Sequence, residues 1–399
     1  MGNRVCRVVP GQEKGERGEW MILNITLRYK PVKAGGAERQ LERLASALAA
    51  KGLDVAILTW DGGCTRLPRR EISGGVTVYR LKERCIMWGG KRRLAGIWVG
   101  LTMLKFLLSH RRNIRFVHVH DLFETAFFAK FWCAFLRIPC AAKATGIRSI
   151  YNGIHSRWGA MGIFFWKCIT GTKWVIAMSP YIERTLMSYK IPAGKIMLVP
   201  NGVDVPANVP ARADKPNGCF TMASTSALIK GKRMEIAIEA LAILSKTCPD
   251  IRLAAAGAGP EKASLERLCQ TKGISDNVRW LGFLEDVEGL LRDADIFIHP
   301  SEYEGVSNSI LEAMALGLPV IVRDAEFNSG LVIDGVTGLK FDGTPEGLAS
   351  CIKRLKDDRD MRMALGRNAR DKVLREYGFS TVCGKYLSAL ERAGVKIKG

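Results

Sequence analysis

The sequence predicts an α/β protein of two facing parallel-sheet units, on two observations. Short β-branched or apolar runs alternate with helical segments along the chain, and a Pro/Gly/Asn-rich stretch over about 200–218 interrupts the alternation before it restarts. With 399 residues, 47% of them hydrophobic, the chain is long enough for two or three domains with full cores.

In order along the chain, residues 1–20, MGNRVCRVVPGQEKGERGEW, have too short an apolar core for a secretory signal and read as a flexible tail. MILNITLRY from Met21 is the first buried strand, and GAERQLERLASALAAKG is the helix behind it. VAILTW, FVHVH, a helix over about 122–136, WVIAMS and PYIERTLMSYK continue the βα rhythm, so residues 21–200 form the first Rossmann-like unit. Residues 201–218 are the linker. CFTMAST, EIAIEALAILSK, IRLAAAG, VRWLG, IFIHP and PVIVRD then build a second unit over 219–378. Ligands of open parallel sheets bind beyond the carboxyl ends of the strands, which puts the expected site in the cleft between the two units.

Composition narrows the function. The eleven cysteines are scattered without a CxxC pair and the five histidines form no zinc pattern, so the thiols are expected to be reduced, in a cytoplasmic protein. No apolar run reaches the roughly 18 residues needed to span a bilayer. The net charge of +21 is lopsided: 33 basic against 13 acidic residues in 1–204, and 27 against 26 in 205–399. A half with that excess attracts something anionic, whether nucleic acid, a phospholipid surface or a phosphorylated substrate. Within it, LAGIWVGLTMLKFLLSHRRNIR (94–115) and RWGAMGIFFWKCITGTKW (157–174) combine apolar, aromatic and basic residues, a composition that suits either a bilayer interface or a buried helix with a basic end. A Ser/His/Asp elbow, a Walker A loop, a kinase signature and a zinc motif are all missing, which excludes most hydrolase and kinase readings.

The strongest local signal is SEYEGVSNSILEAMALGLPVIV (301–322). Ser307 and Asn308 are good helix N-caps ahead of a segment with helical spacing, so the helix is expected to begin near Ser307 with Glu312 about one turn in. Free amides at its start suit a phosphate, but Glu304 before it and Glu312 inside it would repel a bare anion. The combination suits a ligand with hydroxyls for the carboxylates and phosphates for the amides of Gly305, Val306, Ser307 and Asn308. The alternative is an ordinary amphipathic helix with a capping glutamate.

Other candidates flank the same cleft. Gly35 and Gly36, between the first strand and its helix, would let backbone amides approach a phosphate, although GxGxxG is absent there. The GxG of AAAGAGPE (254–261) is expected to line the cleft with a structural role. His120 ends the strand FVHVH, with His118 on the same face. Lys230, Lys232 and Arg233 sit at a helix start, where cations oppose the dipole unless they serve an anion; the alternative is solvated surface charge. The DAD of 293–295 sits between a helix and the strand IFIHP and reads as capping rather than metal-binding.

From Met21 onward the order GGAER, HVH, VPNGVD, the lysine-containing helix start, VRWLGF, HPSEYEG and EGVSNSILEAMALGLPVI resembles the retaining GT-B glycosyltransferases of family four. Glu304 and Glu312 match the family's E-x7-E pattern. The resemblance implies a GT-B fold, two facing Rossmann-like domains around a nucleotide-sugar cleft, and a C-terminal helix (379–399) crossing back to the first domain. It implies that Glu312 holds the ribose hydroxyls of a nucleotide diphosphate sugar and that Glu304 lies by the transferred sugar. His120 would act near the reaction centre, Gly35 and Gly36 would close on the phosphates, and Lys230 and Lys232 would neutralise the leaving diphosphate. It implies no cofactor and no metal. Two departures stand out: Ala227 (or Thr225, if Lys230 is the family lysine) occupies the position where the family usually has an arginine, and AEFNSGLV lacks the family's frequent glutamate near Gly330.

The reaction expected is transfer of a sugar to an acceptor hydroxyl with retained configuration, in cell-surface polysaccharide, lipopolysaccharide or glycolipid synthesis. The basic first half points to an anionic or lipid-linked saccharide acceptor and to peripheral contact with the inner face of an anionic membrane, with no nucleic-acid partner. The alternatives are a GT-B sugar-nucleotide epimerase and a non-catalytic basic protein that binds nucleic acid or a membrane surface.

Overall fold

The computed structural model of the chain describes residues 20–32, 35–63, 66–82, 92–122, 124–146, 174–209 and 218–395, with 92–95 and 124 described as backbone alone. Residues 1–19 of the tail, the segment 157–173 and residues 210–217 of the linker lie outside the described residues.

The first sheet contains β1 (Met21–Ile25), β2 (Asp54–Trp60), β3 (Arg70–Ser73), β4 (Val76–Leu81), β5 (Ile114–Val119), β6 (Cys140–Ala144), β7 (Trp174–Ala177) and β8 (Ile196–Leu198). Their spatial order is β3-β4-β2-β1-β5-β6-β7-β8. β3 runs antiparallel to β4, and the other pairs are parallel. Helices α1 (Gly36–Ala50), α2 (Arg92–His110), α3 (Glu124–Leu136) and α4 (Pro180–Ser188) accompany it. β1 is buried along its whole length, as expected for a central strand covered on both faces. It is shorter than the run MILNITLRY suggested: the strand ends at Ile25, and just beyond it Thr26 Oγ1 donates to Arg28 O at 3.2 Å.

The second sheet contains β9 (Phe220–Thr225), β10 (Ile251–Ala256), β11 (Val278–Gly282), β12 (Ile296–His299), β13 (Val320–Arg323) and β14 (Gly338–Phe341), in the order β11-β10-β9-β12-β13-β14 with every pair parallel. Its helices are α5 (Met234–Leu244), α6 (Lys262–Lys272), α7 (Glu288–Asp293), α8 (Asn308–Ala315), α9 (Glu326–Ser329), α10 (Pro345–Asp357) and α11 (Arg359–Glu376). Asp295, in the DAD stretch, accepts the Thr221 N–H at 2.7 Å.

The last helix, α12 (Phe379–Arg392), returns to the first sheet. Its buried residues Val382, Cys383, Tyr386, Ala389 and Leu390 share a core with Leu41, Leu44 and Leu48 of α1. The chain crosses between the sheets beside its own earlier passage: Val203 N bonds Tyr377 O at 2.9 Å, and Phe379 N bonds Val203 O at 3.1 Å.

In each sheet the strand order reverses direction at one place, between β1 and β5 in the first and between β9 and β12 in the second. Loops leaving the carboxyl ends of strands diverge at such switch points and open a crevice. The loops that leave β1, β5, β9 and β12 carry Gly35–Gly36, His120, Lys232 and Glu304 respectively.

Candidate active site

These loops line one cleft of about 420 Å³, with walls from both sheets. Of the residues expected at the site, Gly35, Gly36, His120, Lys232, Glu304, Gly305, Val306, Ser307, Asn308 and Glu312 line it. Lys230 is not among the lining residues: residues 230–232 form a 3-10 turn that leaves Lys230 exposed while Lys232 faces Glu304.

The second sheet's wall is built around Glu304. Lys232 Nζ and His299 Nε2, the latter at 2.7 Å, both contact its Oε1. A carboxylate can only accept, so the His299 proton is on Nε2. Burial pushes Glu304 up, but the His299 hydrogen bond and charge, together with the Lys232 ammonium, outweigh it and bring the carboxyl down to about 2. A group so acidic is no general base near neutral pH. With both donors on Oε1, Oε2 is left to accept from a hydroxyl.

The turn after Glu304 presses against the first sheet. A Cβ on Gly305 would lie 2.7 Å from Met178 Cε and 2.8 Å from Thr145 O, so the close approach requires glycine. Val306 packs against apolar cores on both sides. α8 starts at Asn308 with Ser307 in the cap position, one residue later than the sequence suggests, and neither side chain caps it. Ser307 Oγ faces His299 Nε2 at 3.5 Å, while Asn308 Nδ2 crosses the cleft to Gly36 O at 3.1 Å. The first amides of α8 therefore remain without intrahelical partners, as at any helix start. Glu312 lies one turn in, with Arg43 of α1 3.8 Å from its Oε1. Burial raises its pKa, against the opposing pull of Arg39 and Arg43.

The first sheet's wall differs. Gly35 lines the cleft, and its N–H donates to Glu38 Oε2 at 3.0 Å. His120 follows β5, buried, with Nε2 2.9 Å from Asn24 Oδ1 and its ring centroid 3.9 Å from that of His118. Burial holds both histidines well below the ordinary imidazole range, and Lys143 reinforces it. His118 Nδ1 is 3.1 Å from the Tyr386 hydroxyl of α12.

Sequence reasoning gave no role to His299, Lys143, Asn201 or Arg43. A histidine at the carboxyl end of IFIH, and a lysine inside the apolar run CAAKA, were the signals available. The loop after β10 lines the cleft as expected, with Gly257 at φ +153 and no room for a Cβ 1.8 Å from Ser226 O.

Comparison with known proteins places this geometry. Glycosyltransferase Family 4 matches residues 34–206, and Glycosyl transferases group 1 matches residues 208–372. The chain belongs to this family of glycosyltransferases. Glycogen synthase of Mycobacterium tuberculosis is 26% identical over 387 residues, covering 90% of this chain and 92% of that protein. The lipopolysaccharide core biosynthesis glycosyltransferase LpsD of Rhizobium meliloti is 26% identical, over 91% of this chain and 96% of its own length. Anabaena HepE, crystallised with UDP and glucose, is 19% identical and superposes with a TM-score of 0.73 over 93% of this chain and 99% of that one. The two parallel-sheet domains and their cleft are the GT-B fold.

Proposed function

We propose that this glycosyltransferase moves a sugar from a nucleotide diphosphate sugar to an acceptor hydroxyl, with retention of anomeric configuration and without a divalent metal. The observation that carries the reading is the pair Glu304 and Glu312 on either side of the amides that open α8, facing Gly36 and His120 across one cleft. Oε2 of Glu304 accepts from a sugar hydroxyl, and Glu312 accepts from the ribose. As the bond from the anomeric carbon to the diphosphate breaks, charge grows on the departing oxygen; the amides of Gly305 to Asn308 and the Lys232 ammonium stabilise it. The acceptor oxygen bonds the anomeric carbon on the face the diphosphate leaves, and its proton departs with the diphosphate. His120, kept neutral by burial, orients sugar or acceptor rather than supplying charge.

The proposal extends to cell-surface polysaccharide or lipopolysaccharide and glycolipid synthesis, on an anionic or lipid-linked acceptor at the cytoplasmic face of a membrane. No helix among the described residues is long and apolar enough to cross one. In support of peripheral contact, Ile97, Leu101 and Leu108 of α2 and Phe131 and Phe135 of α3 are exposed, with Lys105, Arg111 and Arg112 beside them.

Calorimetric and thermal-shift titration with uridine, guanosine and adenosine diphosphates and their sugars, on the wild type and Glu312→Ala, tests the donor. One nucleotide is expected to stabilise the wild type selectively and the variant far less. No response to any nucleotide would overturn the reading, and a product of inverted configuration by NMR would overturn retention.

A further inference from the structure

One buried charge in the cleft has no part in the scheme above. Lys143, near the carboxyl end of β6, lines the cleft with only 8% of its surface exposed. Its ammonium donates to Asn201 Oδ1 at 2.9 Å, a neutral acceptor that satisfies one of its three N–H groups. Burial moves its pKa down to about 8, with no opposing pull from a carboxylate among the described residues. Lys232, the other lysine among the described residues that line the cleft, is the opposite case, with Glu304 against it.

An uncompensated ammonium in a protein interior opposes folding, and an apolar side chain of the same length would serve packing better. Charge kept in such a place implies something that uses it. The surroundings indicate what. Asn201 donates onward, to Asn308 Oδ1 at 2.9 Å and to Val306 O at 3.3 Å, so the ammonium lies one amide side chain away from the start of α8. A buried cation from one sheet and unpaired helix amides from the other thus converge on the same part of the cleft. His118 and His120, whose protonated forms the Lys143 charge disfavours, are held toward neutrality and add no second positive charge beside it.

We propose that Lys143 binds a phosphate group of a ligand from the first sheet's wall of the cleft, opposite the N-terminus of α8. The phosphate comes either from the donor's diphosphate or from a phosphorylated acceptor; the first source rests on the nucleotide-sugar reading, the second does not.

The test compares the full chain with Lys143→Met and Lys143→Arg, using thermal melts and calorimetry with inorganic pyrophosphate and with nucleoside diphosphates. Without ligand, the methionine variant is expected to melt no lower than the wild type, since an unpaired buried charge is removed. Its pyrophosphate affinity should fall about tenfold or more, the scale of one lost charged hydrogen bond, and arginine should restore most of it. An equal loss for nucleoside diphosphates assigns the donor. Unchanged nucleotide binding with a raised KM for a phosphorylated acceptor assigns the acceptor. If the methionine variant does not fold, Lys143→Gln, which keeps a donor for Asn201 but no charge, carries the same comparison. The proposal is overturned if neither uncharged variant alters anion affinity or KM, or if the wild type ignores pyrophosphate and nucleotides alike. A wild type that responds to pyrophosphate but to no nucleotide would remove the nucleotide-donor reading and leave the Lys143 site standing.

Discussion

The two walls of the cleft handle charge in opposite ways. On the second sheet's side, Glu304 is buried but met by Lys232 and His299, and is held ionised. On the first sheet's side, His118, His120 and Lys143 are buried against neutral partners, and each is pushed toward its uncharged form. One wall is electrostatically complete before any ligand arrives, and the other is completed by what it binds. That difference suits a transferase, in which one side must hold a charged leaving group steady while the other receives a second substrate.

The largest effect is expected from breaking the complete wall. Glu304→Gln keeps the shape but leaves Lys232 and His299 without their shared carboxylate, and kcat should fall about 100-fold or more, on the scale of one lost preorganised contact. The acid limb of stability should change with it. The unfolded carboxyl titrates near 4.5 and the folded one near 2, so the folded state binds fewer protons in between. Its stabilising contribution is full above about 4.5 and fades as pH falls toward 2. A wild type and Glu304→Gln with the same kcat and the same acid denaturation between those values would show that the pairing has no such role.

Next in size is the contact between the walls. Gly305→Ala sets a methyl 2.8 Å from the backbone oxygen of Thr145, which cannot step aside, whereas Gly36→Ala meets the movable amide end of Asn308 at 2.9 Å. Steady-state kinetics should show Gly305→Ala losing at least about tenfold in kcat/KM and Gly36→Ala clearly less, since a displacement of about 1 Å can cost 100-fold in positioning. Equal losses at both positions would mean that the closeness of the 305–308 turn to β6 does not matter for catalysis.

A smaller effect probes the incomplete wall. Tyr386→Phe removes the hydroxyl from His118 Nδ1, and His118 Nε2 already lacks a partner among the described residues. An imidazole left with neither nitrogen satisfied should lower stability by about 1–3 kcal/mol, readable by chemical denaturation at neutral pH. Both walls lose stability as pH falls, and the pH range of the loss separates them. Folded His118 and His120 resist protonation while unfolded imidazole accepts it near 6.5, so their contribution is lost as pH falls below 6.5, well before that of Glu304. A single acid transition confined to the carboxylate range would contradict this.

Much of the fold was legible because parallel strands covered on both faces, such as MILNI and IFIH, read as unbroken apolar runs between amphipathic helices. Glu304, Glu312 and the glycines between the walls were legible because their meaning is local, a turn and a helix start within a dozen residues. What escaped depends on distant partners. Asn201 and Lys143 acquire meaning only when β6 and the start of the linker meet, 58 residues apart in sequence. Gly35 loses its free amide to Glu38 three residues on, a capping contact the GGAER stretch also allowed.

Lys230 gives the smallest expected effect, and set beside Lys232 the sharpest contrast. They are two residues apart in one basic run, and sequence pattern alone cannot tell which of them reaches a ligand. The 3-10 turn decides it: Lys232 N bonds Ile229 O at 2.9 Å and Arg233 adopts a left-handed conformation at φ 52, so the lysine side chains diverge. Lys230 is exposed, and Lys232 lies against Glu304. Lys230→Ala should therefore leave kcat/KM within about twofold of the wild type, as expected for a solvated charge. Lys232→Ala should lower kcat by about tenfold or more through loss of charge beside the diphosphate. Parallel kinetics on the two variants would overturn the assignment if Lys232→Ala turned over normally, or if Lys230→Ala were the more impaired, which would place the diphosphate on the outer side of the turn.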